Sequence, residues 1–245
     1  MDGKKIIKAY FDIGSPYSYA GLELLRQYYN SIWADLIEVH LEPVLLGGIF
    51  KTVGNKAPIE ISSKNSYMRK DMIRCANWVG INLKIPELFP MSSLKAMRLL
   101  SATKYLYPDK LWDTSFAFFK AYWIDSVDIT DSTSLNLALN KANISEEMLE
   151  QIISFSETNK NKEILKNYTT EAVEIGIFGC PTFAVHNSYL KYPISSNISS
   201  EPIHNSGFEI FFGADRLPIL ANFLNLPYFG PLINNNIIKD NESKL

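Results

Sequence analysis

"YFDIGSPYSYAGLELLRQYY", residues 10–29, runs from a strand-like segment through a tight turn into a helical pattern. Ser15 and Ser18 stand at the helix mouth in an S-x-x-S arrangement, with Pro16 directly after the first serine. Two physical readings fit these residues. In one, Ser15 is an N-cap, Pro16 the pre-organised first helical residue, and Gly21, Leu24, Leu25 and Tyr28 the buried stripe. In the other, the mouth is an anion site, because free backbone N–H groups and the helix dipole converge there. Taken by themselves, the twenty residues favour the first reading.

Working outward, residues 5–12 read as a strand rich in Ile and aromatics, and the helix runs on to Asn30. "LIEVHLEP" alternates Ile37, Val39 and Leu41 on one face until Pro43 stops it, giving a second strand. Strand, helix and strand make a βαβ unit, whose crossover implies a parallel pair. From Ser62 to Gly176 the apolar spacing is helical almost throughout. Met68, Met72, Cys75, Ala76 and Val79 form one stripe, with Gly80 as its stop signal. Trp112, Phe116, Phe119 and Trp123 form a second, and such stripes are helix-packing surfaces. Leu135, Ala138, Leu139 and Ala142 continue the pattern behind the capping candidates Thr130 and Asp131. Ser145-Glu146-Glu147 opens a further helix, with acids opposing its dipole.

Beyond Gly179 strands return. "CPTFAVHN" and "GFEIFFG" read as a hairpin pair, and "ADRLPILANFL" as a closing helix. Between the strands, residues 187–206 are rich in Ser, Asn and Pro and read as a long surface loop. The order βαβ, helices, ββα describes an α/β fold in which residues 1–60 and 177–245 make one discontinuous domain and residues 61–176 an inserted helical domain.

The 245 residues, 47% hydrophobic and 20% charged, have an ordinary globular composition. A formal net charge of −2 with no basic run argues against nucleic-acid binding. Cys75 and Cys180 make neither a C-x-x-C nor a zinc pattern, which fits a reducing compartment. His40, His186 and His204 lack metal-ligand spacing, so no metal is expected. No signal peptide is visible, and no apolar run approaches the roughly 20 residues needed to span a bilayer. The sequons at Asn143, Asn167, Asn197 and Asn241 are therefore expected to stay unused. The terminal Ser243-Lys244-Leu245 reads as a peroxisomal address, with an import receptor as the implied partner.

In thioredoxin-like folds the first helix starts at the active site, and a proline facing it opens the third strand. "SPYS" and Gly179-Cys180-Pro181 supply these two elements. Serines occupy the places of the redox thiols, so disulfide exchange has no nucleophile there. With "FDIGSPYSY", "GNKAP" (Gly54–Pro58), "SSLKAMRLLSA" (Ser92–Ala102), "TTEAVEIGIFGCPTFAV" (Thr169–Val185) and "GADRL" (Gly213–Leu217) in order, the chain resembles a kappa-class glutathione transferase. The 2-hydroxychromene-2-carboxylate isomerases share the Ser-Pro start, whereas "LLGGIF", "GNKAP" and "SLKAMR" favour the transferase branch.

The resemblance implies a thioredoxin-like βαβ–ββα sheet, a homodimer, and no cofactor other than glutathione as cosubstrate. It implies that Ser15 donates its hydroxyl to the glutathione sulfur. A free thiol has a pKa of about 8.5, and a hydroxyl donor at a helix N-terminus favours the thiolate. Serine suits the place because the cosubstrate brings the thiol. The resemblance further implies that Pro16 and Tyr17 border the tripeptide, and that Pro181 is cis and frees the Cys180 main chain to pair with the cysteinyl part. Ala214 and Asp215 would take the γ-glutamyl end, Asp215 pairing with the α-ammonium. Asn55 and Lys64, nine residues apart, would reach the glycyl end. Ala214 departs from the family pattern, which has serine there, and so offers an amide but no hydroxyl. Arg216 is expected either to brace Asp215 or to cap the helix. Two other functions remain open: a glutathione-dependent isomerase, and a glutathione- or lipid-binding module without turnover. A mitochondrial or cytosolic location is the alternative to the peroxisome.

Overall fold

The computed structural model describes residues 3–189 and 207–233. The long loop expected over 187–206, apart from a 3-10 turn at Asn187–Tyr189, lies outside the described residues, as does the terminal Ser243-Lys244-Leu245.

Ile7, Ala9 and Phe11 alternate into the core along β1 (Lys5–Phe11), which sits inside the sheet. Among the described residues four strands form that sheet, in the order β2 (Ile37–Pro43), β1, β3 (Thr182–His186), β4 (Phe208–Phe212). β2 runs parallel to β1, with Lys5 opposite Ile37 and Phe11 opposite Pro43. The crossover is α1 (Pro16–Tyr29), as a βαβ unit requires. β3 runs antiparallel to β1, placing Phe183 opposite Ala9, and β4 runs antiparallel to β3. This is the expected thioredoxin-like arrangement.

α2 (Leu46–Val53) is a helix without a local signal at its start. It contains Gly47 and Gly48, both poor helix formers, and its cap Leu45 has no side-chain hydrogen bond. The missing cap comes from a distant residue: the Leu46 N–H donates to Asp12 Oδ2 at 2.7 Å. Gly54, at φ 71°, ends the helix in the left-handed region that glycine adopts without strain.

α3 (Ser62–Trp78), α4 (Leu94–Leu106), α5 (Leu111–Trp123), α6 (Ser132–Asn140), α7 (Glu146–Ser156) and α8 (Asn159–Glu174) follow. Gly80, at φ 84°, lies just past α3 as expected. Asp131 rather than Thr130 caps α6, through the Ser134 N–H, and Ser145 caps α7 through Met148. The helical run expected from Ser62 to Gly176 is broken at residues 79–93, which contain a cis Phe89–Pro90 bond. Hydrogen bonds to α5 replace helical ones there: Lys84 N–H donates to the Trp123 carbonyl at 2.7 Å, and Met91 N–H to the Tyr122 hydroxyl at 3.1 Å. One buried cluster joins Ile7 and Phe11 of the sheet to Met72, Phe118, Trp123 and Leu135 of the helices. The closing helix starts as a 3-10 turn, Ala214–Arg216, and becomes α-helical only in α9 (Leu217–Leu224).

Candidate active site

The chain leaves β1 at Asp12, and other elements hold its polar groups through the next turn. Ser15 N–H donates to the Asp12 carbonyl at 3.0 Å, and Gly14 N–H to Asp12 Oδ1 at 2.7 Å. Trp123 of α5 donates its indole N–H to the Ile13 carbonyl at 2.8 Å, and the Ile13 N–H reaches Met97 Sδ of α4 at 3.4 Å. Ser15 is thereby fixed at 4% exposure. Its Oγ accepts the Ser18 N–H at 3.1 Å, so the capping reading is met, and it donates to the Cys180 carbonyl at 3.1 Å.

Facing Ser15 is the Cys180–Pro181 peptide, which is cis. A Cβ on Gly21 would stand 2.9 Å from Pro181 Cγ, so α1 reaches Pro181 only because residue 21 has no side chain. Cys180 is 7% exposed, and burial pushes its thiol well above the ordinary range. Burial also pushes Cys75 up to about 11, and neither cysteine is in a disulfide. Both are poor nucleophiles at neutral pH. The Cys180 thiol is thus poorly suited to sulfur chemistry, and its carbonyl accepts the Ser15 hydroxyl.

Ser15, Pro16, Tyr17, Asn55, Lys64 and Cys180 border a cavity of about 640 Å³, within the span usual for small-molecule sites. Leu45, Phe50, Phe89, Met91 and Phe178 give it an apolar wall. A second cavity, of about 550 Å³, is bordered by Tyr17, Cys180, Pro181, Ala214 and Asp215. Tyr17 and Cys180 border both, so Tyr17 stands as a partition in one divided cleft. Its hydroxyl donates to Asp71 Oδ2 at 2.9 Å, and Tyr67 donates to Asp71 Oδ1 at 3.0 Å. Burial and then the Asp71 bond push the Tyr17 phenol up, so the hydroxyl stays a donor.

Every site residue named from the sequence thus borders the cleft, in differing states. Asn55 is committed to main-chain partners, one in its own loop and one before β3: Oδ1 accepts the Lys56 N–H at 2.8 Å and Nδ2 donates to the Phe178 carbonyl at 3.1 Å. Lys64, in the first turn of α3, is exposed. Ala214 is 2% exposed, and its amide, at the start of the 3-10 turn, has no acceptor within that turn. Asp215 is exposed and lies 3.5 Å from Arg216, so Arg216 braces it and also borders the cleft.

Sequence reasoning missed Asp12, Asp71 and Ser93. Asp12 carried a usable signal, an acid between Phe11 and Ile13 where a buried strand ends. Asp71 and Ser93 resemble ordinary surface residues in sequence, and only the packing of α3 and α4 reveals them. Among the described residues no group of three or more His, Cys, Asp and Glu could hold a metal ion. No helix among them is long and apolar enough to cross a membrane.

Residues 6–225 match the DSBA-like thioredoxin domain. Glutathione S-transferase kappa 1 of Homo sapiens is 30% identical over 233 residues, covering 93% of this chain and 94% of that protein. Glutathione s-transferase kappa 2 of Caenorhabditis elegans is 26% identical, covering 95% of this chain and 97% of that protein. Among solved structures, 2-hydroxychromene-2-carboxylate isomerase superposes with a TM-score of 0.66 over 98% of this chain and 99% of that one, at 20% identity, a likeness of fold. A Ser-Pro-Tyr-Ser turn facing cis-Pro181, on a sheet of this order and in a chain with these relatives, leads to one assignment: the chain belongs to the kappa-class glutathione S-transferases of the DSBA-like thioredoxin family.

Proposed function

We propose that the protein is a glutathione transferase that joins the bound glutathione sulfur to small apolar electrophiles. The observation that carries this reading is the Ser15 hydroxyl, buried at the N-terminus of α1 and opening on a cavity with an apolar wall. Glutathione lies along the cleft with its γ-glutamyl end at Ala214 and Asp215, its sulfur at Ser15, and its glycyl carboxylate toward Lys64. On binding, the Ser15 O–H turns from the Cys180 carbonyl to the sulfur. That exchanges a neutral acceptor for an anion, and hydrogen bonds to ions are roughly twice as strong. The helix N-terminus adds to the preference for the thiolate. The thiolate attacks the electrophilic carbon, a carbon–sulfur bond forms, and the leaving group departs with its electron pair.

The wall of the larger cavity also bears on the choice of reaction. Its cationic side chains are Lys56 and Lys64, both at the glycyl side, so the rest of the wall suits an uncharged electrophile rather than a carboxylate-bearing one. The test is a glutathione titration followed by thiolate absorbance, then reaction with an aryl halide and mass analysis of the product. Turnover that leaves glutathione unconsumed would replace transfer with reversible addition. Saturable binding without any turnover would make the protein a binding module. The proposal extends to a homodimer, by family, and to a peroxisomal location through Ser243-Lys244-Leu245. A tagged protein with its tail free should form puncta that vanish when Leu245 is deleted, and a diffuse pattern would remove that part.

A further inference from the structure

Asp12 is a buried titratable group at the cleft to which the transfer chemistry assigns no task. It is 0% exposed and borders the larger cavity beside Gly14, Ser15 and Ser93. Oδ1 accepts the Gly14 N–H and Oδ2 the Leu46 N–H, each at 2.7 Å, and the Ser93 hydroxyl also bonds to the carboxyl. One carboxyl therefore ties together three walls: the turn before Ser15, the first residue of α2, and the segment entering α4. The packing is close, since a Cβ on Gly14 would stand 3.3 Å from Asp12 Oδ1 and 3.5 Å from Ser93 Cβ.

No ion pair among the described residues includes Asp12. The groups facing it are Ser15 and Ser18 from α1, the Leu46 backbone from α2, Ser93 before α4, Tyr122 from α5, and Cys180 before β3. None of them is cationic. Its charge helps to push up both the Tyr122 phenol and the Cys180 thiol. Because Ser15 Oγ bonds to the Cys180 carbonyl, a field that reaches Cys180 also reaches the place beside that hydroxyl.

We propose that Asp12 is a positioning residue that fixes the Ser15 turn against α2 and, through its charge, tunes how readily a thiol bound beside Ser15 ionises. The proposal rests on the glutathione reading above. Two anions in one cavity wall without a cation between them repel, so an ionised Asp12 opposes the thiolate that Ser15 favours. The coupling is reciprocal, and a bound thiolate raises Asp12 in turn. Burial already pushes the Asp12 carboxyl up, against the pull of its two amide donors, so it lies nearer the range in which that coupling matters.

Asp12→Asn removes the charge and keeps one acceptor oxygen. The bound thiol's pKa, read from thiolate absorbance against pH, should fall by about one unit, a tenfold change in the thiolate-to-thiol ratio. Glutathione affinity should weaken severalfold, because the amide turns an N–H toward one of the two backbone donors. A bound thiol whose pKa stays put or rises overturns the proposal, even where affinity drops, since a purely structural role moves affinity alone. Should the variant fail to fold, the parent protein carries the same test. The carbon-13 carboxyl resonance of Asp12 should titrate at higher pH with glutathione than with S-methylglutathione, which cannot ionise, and identical curves overturn the proposal. A parent that does not bind glutathione overturns both this proposal and the transfer reading. A parent that binds it, with a thiol indifferent to Asp12, overturns this one alone.

Discussion

Two turns border the cleft, the Asp215 turn at one end and the Ser15 turn between that end and Lys64, and they are built on opposite plans. At the Ser15 turn the backbone groups are held by Asp12, Met97 and Trp123, and the serine is buried. At the Asp215 turn the carboxylate is 68% exposed, and its partner Arg216, 3.5 Å away, is 50% exposed. The first geometry is fixed by hydrogen bonds within the protein and is largely buried, and one hydrogen bond to a forming charge counts most in such a place. The second is a loose pair of charges in high dielectric, screened by salt and individually weak. Ionising a sulfur needs the first plan, whereas recognising an ammonium can be done with the second.

The contrast is tested most severely at Ser15. Ser15→Ala should leave the fold intact and most of the glutathione affinity in place, because helix amides and the Asp215 end still hold the tripeptide. Loss of a donor to an anion in a preorganised site costs about 2.7–4 kcal/mol, so conjugation should fall by roughly 10²–10³-fold at neutral pH. The bound thiol's pKa should rise, and part of the lost rate should return as pH increases and supplies the thiolate. A variant that conjugates like its parent would reduce Ser15 to a helix cap and end the contrast.

Gly21→Ala tests whether the rigid turn depends on close packing of α1. The added methyl would stand 2.9 Å from Pro181 Cγ, with the Phe183 ring at 3.3 Å. Overpacking of this kind costs about 1–3 kcal/mol, offset by up to about 1 kcal/mol of helix propensity. A net loss of about 1–2 kcal/mol is expected in denaturant unfolding, together with weaker glutathione binding as Pro181 is pushed aside. Unchanged stability would mean that Pro181 yields easily and the site is less rigid than its hydrogen bonds imply.

The same contrast explains how much could be read in the sequence. Signals carried by neighbouring residues were legible: Ser15 and Pro16 at the start of α1, Gly80 after α3, Asp131 and Ser145 before α6 and α7, and the alternation along β1 and β2. The site residues themselves came from the family resemblance, and the fold places them around one cleft. What escaped was structure set from a distance. α2 takes its cap from Asp12, 34 positions earlier, so no window of sequence contains both halves of that signal. The break at residues 79–93 is held by bonds to α5, although the alternation of Val79, Ile81, Leu83 and Ile85 inside the expected helical run is itself a local mark of extended chain. Asp71 becomes informative only once α3 lies against α1 and two tyrosine hydroxyls point at it.

At the loose end the expected effect is smaller. Asp215→Asn should weaken glutathione binding by up to about fivefold, the range of an exposed ion pair worth about 0.2–1 kcal/mol. The bound thiol's pKa should stay where it is, and added salt should shrink the difference between variant and parent. A large, salt-independent loss would show that the ligand buries this carboxylate, and the two turns would then be built alike. Equal affinity would leave Asp215 as a residue of the 3-10 turn and nothing more.

The smallest effect is expected at the second serine of the opening motif. Ser18 is fully buried, one helical turn beyond Ser15, and its hydroxyl lies against the Asp12 backbone. The Asp12 N–H reaches Ser18 Oγ only at 3.5 Å, the outer limit of a hydrogen bond, so removing that oxygen gives up a weak contact. The methyl left by Ser18→Ala nearly fills the space, and alanine gains slightly in helix propensity. Stability should change by less than about 1 kcal/mol, and the bound thiol's pKa and the conjugation rate should match the parent. A rate loss approaching that of Ser15→Ala would mean that the Asp12 backbone needs Ser18 to stay in place. The rigid turn would then rest on both serines, and the S-x-x-S pattern would act as one unit rather than as a catalytic hydroxyl followed by a packing residue.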